Sequence, residues 1–88
     1  MIQWSAHLMP NKNMIKLYRR TNDLTQIKHE TPTNRRVIEH KFSNLTRSQL
    51  FEEAEKILEE SGYTPKTGWK RDVNFDIWYI NVSEEILP

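Results

Sequence analysis

The stretch from Leu45 to Tyr63 constrains this chain more than any other, because both ends of one helix are written into it. Thr46 followed three residues later by Gln49 is a capping box, in which each side chain satisfies the other residue's backbone N–H. Leu45 and Leu50 stand at hydrophobic-staple spacing around the cap. Gly62 supplies the left-handed residue that closes the other end, with Tyr63 beyond it placed to meet Leu58. These signals predict a helix over 47–61. Leu50, Phe51, Ala54, Ile57 and Leu58 fall on one face of it, and that face must be core. Glu52, Glu53, Glu55, Glu59 and Glu60 fall on the other, which is acidic.

Before the helix the apolar period drops from 3.6 to 2, as strands require. Ile2, Trp4, Ala6 and Leu8 alternate with Gln3, Ser5 and His7 up to a turn signal at 10–13. Met14 to Arg20 alternates Ile15 and Leu17 against Lys16, Tyr18 and Arg20, and Thr21-Asn22-Asp23 reads as a hairpin tip into a strand over 24–30. After a break at 31–34, a strand over 36–42 carries Ile38 and Phe42 on one side, with Val37 as a misfit among Glu39 and Lys41 on the other. Beyond the helix, 64–68 reads as a loop. Ile77 to Val82 is the strongest strand, with Trp78, Ile80 and Val82 on one face and Ile77 and Tyr79 on the other, so it belongs at the centre of a sheet or under cover. Pairing of Lys70 to Phe75 with it as a hairpin is left open by the pattern.

The expected fold class is therefore α+β: a small antiparallel β-sheet, about four strands before and one or two after a single helix, packed on that α-helix. Contiguous strands and one helix lack the crossovers that a parallel sheet needs. Eighty-eight residues suffice for one core, so residues 1–88 are expected to form a single domain. A composition of 36% hydrophobic and 28% charged residues is that of a chain that folds. With no cysteine there are no disulfides, thiolate metal sites or cysteine nucleophile, and the expected compartment is the cytoplasm. No segment has the length of apolar sequence needed to span a bilayer, and the N-terminus does not read as a signal peptide.

The net charge of +1 conceals a segregation. Residues 1–50 hold nine Lys and Arg against three acids, while residues 51–88 hold four against nine. If Ile15, Leu17, Ile27, Ile38 and Phe42 face the helix, period-two geometry sends Lys16, Tyr18, Arg20, Gln26, Lys28 and Lys41 to the opposite side. Cations on a sheet can neutralise phosphates, and the Tyr18 ring can stack on a base. Arg35 and Arg36 add cations at the rim. The expected function is a non-catalytic binding or regulatory protein that docks this basic face on nucleic acid or a nucleoprotein complex.

The alternative is a stand-alone protein inhibitor or adaptor, of the scale that phages and mobile elements use against host defence. It would block a partner protein through Glu52, Glu55 and Glu59 of the acidic helix and through Trp69, read either as an exposed interface anchor or as a cover for one end of the sheet. A homodimer through an exposed strand edge is a further expectation.

Catalysis is not expected. His29, His40 and Lys41 carry acid, base and phosphate-binding groups, yet alternation turns His40 inward and Lys41 outward. Asp23, Glu39 and Lys41 follow the order used by metal-dependent nucleases, but Asp23 falls in a turn tip. His7 stands alone as a surface or packing histidine, Asp72 and Asp76 lack further ligands, and no cofactor or metal is implied.

Overall fold

A computed structural model describes residues 2–20 and 35–84. In chain order these form β1 (Ile2–Met9), a 3-10 turn (Pro10–Lys12), β2 (Met14–Arg19), β3 (Arg35–Glu39), α1 (Arg47–Glu60), β4 (Tyr63–Pro65), β5 (Lys70–Asp72) and β6 (Ile77–Glu84). The fold is α+β, a six-stranded antiparallel sheet with one helix. Its order is β3-β2-β1-β6-β4, and β5 lies in line with β4, pairing the other half of the same edge of β6.

The helix starts where its cap dictates. Gln49 N–H donates to Thr46 Oγ1 at 3.3 Å while Thr46 N–H donates to Gln49 Oε1 at 2.9 Å. Gly62 at φ +93° ends it, its N–H donating to the Glu59 carbonyl at 3.1 Å. Ala54, Ile57 and Leu58 are buried against the sheet, in one core with Trp4, Ala6 and Leu8 of β1, Ile15 and Leu17 of β2, and Ile80 and Val82 of β6. Each fully buried large apolar side chain in this layer contributes roughly 1.5–3 kcal/mol.

The β1–β2 connection is a 3-10 turn rather than a tight hairpin loop, with proline at its start and Asn13 in the left-handed conformation at φ 52°. Asn13 also holds the far side of the sheet. Its carbonyl accepts His40 N–H at 3.0 Å and its Oδ1 accepts Phe42 N–H at 3.1 Å, which ends β3 and seats the Phe42 ring in the core.

The strand count before and after the helix differs from expectation. Three described strands precede it and three follow; the strand expected over 24–30 lies outside the described residues. The strand expected over 36–42 runs Arg35–Glu39. Part of the post-helix loop is strand β4, because the outer edge of β6 needs backbone partners and Tyr63 is drawn into the core. Lys70–Asp72 does pair with β6. The intervening turn is shaped by Asp72, whose Oδ1 accepts the N–H groups of Asn74 (3.0 Å) and Phe75 (3.4 Å), and by Asp76 at φ 52°. β6 is central, between β1 and the β4–β5 edge.

Candidate nucleic-acid interface

Antiparallel register puts directly paired residues on the same face, so the pairings assign every strand side chain to the helix side or the open side. One row of the open side runs Val37, Lys16, His7, Tyr79 and Lys70, from β3 through β2, β1 and β6 to β5. At the usual strand spacing its length is about 19 Å. The next row runs Arg35, Tyr18, Ser5 and Asn81. It continues to Lys66, whose N–H donates to the Asn81 carbonyl at 2.8 Å and extends the β4 pairing by one residue. Arg20 extends β2 in the same manner, its N–H donating to the Gln3 carbonyl at 2.8 Å, which turns its side chain to the open side. Beyond it Ser83, paired with Gln3 and Thr64, is only 1% exposed and bounds the open surface there.

Three rings meet at the middle of this face. His7 and Tyr18 pack edge to face at 4.9 Å between centroids, and His7 and Tyr79 stack at 5.7 Å with planes 25° apart. His7 Nε2 shares a 3.1 Å hydrogen bond with Ser5 Oγ. Desolvation among these neighbours pushes the His7 pKa below the ordinary histidine value, with the Asp72 carboxylate opposing. At neutral pH His7 is therefore an uncharged ring. Lys16, Arg20 and Arg35 border the rings on one side, and Lys66 and Lys70 on the other. Glu39 and Asp72 are the carboxylates that register places on this side, and the Asp72 carboxylate is engaged by the turn amides.

The expected site residues divide. Lys16, Tyr18, Arg20 and Arg35 share the open face. Lys28 lies outside the described residues. Lys41 is exposed but stands beyond the end of β3, in the segment that leads to the buried Phe42. Arg36 is not at the rim of the basic face. Its register partner is Leu17, so it lies on the helix side. There its guanidinium sits 4.5 Å over the Trp4 ring and donates to Tyr63 Oη at 2.8 Å and to Glu84 Oε2 at 2.5 Å, while Glu84 Oε1 accepts from Trp4 Nε1 at 3.2 Å. The hydrogen bonds to Tyr63 and Glu84 raise the arginine's pKa further. Arg36, with its side chain still partly exposed, ties β3 to β4, β6 and Trp4 of the core.

The helix side also differs from the expected protein-binding set. Trp69 is partly buried, stacked on Phe51 at 5.0 Å with planes 22° apart, and its Nε1–H donates to Glu55 Oε1 at 3.0 Å. It covers one end of the core rather than standing out as an anchor, and Glu55 is committed to it. Glu52 and Glu59 are exposed. Glu53 pairs with His40 at 3.3 Å.

Sequence reasoning assigned no role in binding to His7, Tyr79, Lys66 or Lys70. Alternation does carry part of the signal, since it sets His7 opposite Trp4 and Tyr79 opposite Trp78 in their strands. That these residues become neighbours of Tyr18 depends on β6 inserting beside β1, which no local pattern reveals. Among the described residues, no group of three or more metal-ligating side chains converges and no helix is long and apolar enough to cross a membrane. No protein-family model matches this chain, and neither curated proteins nor solved structures give a match, so the reading of this face rests on its own geometry.

Proposed function

We propose that this chain is a non-catalytic nucleic-acid-binding protein that docks the open face of its sheet on nucleic acid, either free or within a nucleoprotein complex. The observation that carries the reading is the arrangement of Lys16, Arg20 and Arg35 on one flank and Lys66 and Lys70 on the other, around rings at the centre of a single face. Cations in that position attract phosphates and release their counterions, and the acidic helix lies in the opposite layer, so repulsion is kept away from the ligand. Among the described residues, His7 is wedged between tyrosines and His40 is turned to Glu53.

Docking of a basic protein surface on Glu52 and Glu59 is the second reading. It is weakened by the engagement of Glu55 with Trp69, which removes the aromatic anchor from the acidic face.

Fluorescence anisotropy with labelled oligonucleotides at 50 and 200 mM salt tests the first reading. Binding is expected to weaken with salt, and Lys16→Glu/Lys70→Glu is expected to lower affinity at least about tenfold and flatten the salt slope. Charge reversal at Glu52 and Glu59 should leave it unchanged. Unaltered binding in the lysine variant would remove the open face as the site.

A further inference from the structure

We infer that the open face selects single-stranded nucleic acid, with Tyr18, His7 and Tyr79 forming a base-stacking platform between two cationic flanks. This rests on the nucleic-acid reading above and deepens it by naming the form of the ligand. Cations alone suit any polyanion. Rings at the centre of the face are a separate observation, and they call for a ligand with exposed flat apolar surfaces.

The geometry favours an unpaired strand for three reasons. First, the rings come from three adjacent strands, β2, β1 and β6, and centroid separations of 4.9 and 5.7 Å put Tyr18 and Tyr79 within about 11 Å of one another. That upper limit equals about three rises of 3.4 Å along a nucleic-acid strand, so bases no more than about three positions apart can reach both tyrosines. Second, all three side chains are partly exposed on a sheet side that no described element covers, with apolar neighbours in Met9, Met14 and Ile77. A duplex presents phosphates to a flat surface and keeps its bases stacked on one another, which leaves such rings without partners. An unpaired strand can splay its bases onto aromatic side chains while its backbone runs to flanking cations. Third, His7 is held neutral by its surroundings and fixed by Ser5 Oγ at 3.1 Å, so it fills the gap between the tyrosines as a ring rather than as a competing charge. Lys16 and Lys70 sit in the same cross-strand row as His7 and Tyr79, one on each side. Arg35 and Lys66 bracket the Tyr18 row. A strand crossing the sheet therefore meets cation, ring and cation in turn.

The test uses the full chain and three labelled ligands of equal length: a 12-nucleotide oligo-dT, the same backbone with abasic sites in place of the bases, and a 12-base-pair duplex. Wild-type protein is expected to bind oligo-dT at least about tenfold more tightly than the abasic strand or the duplex, since each stacked base commonly contributes about that factor. Tyr18→Leu/Tyr79→Leu should erase the preference, and Tyr18→Phe/Tyr79→Phe, which keeps both rings, should retain it. Thermal melts of the variants check the fold, and the abasic comparison on wild-type protein stands even if the leucine variant unfolds. Equal, salt-dependent binding of all three ligands overturns the stacking platform and leaves the electrostatic reading intact. Loss of the preference in the phenylalanine variant overturns it too, by assigning the contact to the hydroxyls. Failure to bind any ligand at low salt overturns both readings together.

Discussion

The two faces of this sheet are built from the same strands and share every backbone hydrogen bond, yet they differ in what their side chains do. On the helix side Trp4, Ala6, Leu8, Ile15, Leu17, Ile80 and Val82 are buried in one core with Ala54, Ile57 and Leu58. On the open side Ser5, His7, Lys16, Tyr18, Tyr79 and Asn81, one residue away along the chain, stay partly exposed. Period-two geometry makes this separation sharp. It also separates the consequences of mutation: the first set supports stability, and the second can change at little cost to the fold.

The adjacent residues Leu17 and Lys16 lie on opposite faces of β2. Leu17→Ala, on the covered face, is expected to cost about 2–5 kcal/mol, as large-to-small changes in packed cores do. Lys16→Ala, the preceding residue, should change stability by no more than about 0.5 kcal/mol. Urea denaturation midpoints measure both, and comparable losses at the two positions would mean that the open face is covered after all.

A smaller effect sharpens the contrast at the paired arginines. Arg36 lies over Trp4 and bonds Tyr63 and Glu84, but its side chain is 41% exposed, so solvent screening limits the ion pair. Arg36→Ala should cost about 1 kcal/mol, mostly from the lost cation–π contact and packing. Oligonucleotide affinity should hold in that variant. Arg35→Ala, on the opposite face, should lower affinity several-fold. Thermal melts and anisotropy on both variants separate the roles, and a reversed outcome would exchange the assignment of the two faces.

The smallest expected effect is the pH dependence from His7. Tyr18, Tyr79, Lys16 and Asp72 surround it, and burial lowers its folded pKa despite the Asp72 carboxylate. The unfolded chain therefore takes up the proton first as pH falls. The stability His7 contributes is full above the ordinary value near 6.5 and is lost as pH drops through that value toward the lower folded pKa. Between pH 7 and pH 5 the Tm of the wild type should fall further than that of His7→Phe. Parallel Tm curves would show that the ring is solvated and that the open face is wetter than its packing implies.

Much of the covered face was legible locally. The capping box at Thr46 and Gln49, the closing Gly62 and the alternation of Trp4, Ala6 and Leu8 each depend on residues within a few positions, and each has its expected form. Trp69 was legible only as a choice between an exposed anchor and a cover for the sheet end, and Arg36 was placed at the rim, because an amphipathic side chain in a loop or short strand is placed by whatever lies across from it. Here those partners are Phe51 and Glu55 on the helix for one, and Trp4, Tyr63 and Glu84 for the other. The charge segregation was legible as composition but not as geometry. The basic and acidic halves do not map onto two faces, since Lys66 and Lys70 from the acidic half join the open side and Glu39 from the basic half sits there with them.

Local pattern thus determined the helix, its ends, the period of the strands and the side of each strand that is apolar, because caps and alternation are properties of adjacent residues. Tertiary structure alone decided the order β3-β2-β1-β6 with β4 and β5 along one edge. That order brings Tyr79 against His7, which itself packs on Tyr18, and it sets Lys16 and Lys70 on either side of the His7–Tyr79 pair. Strand pairing is governed by which edges can satisfy one another's backbone groups while burying a common apolar face, and that competition is settled only when all the strands are present.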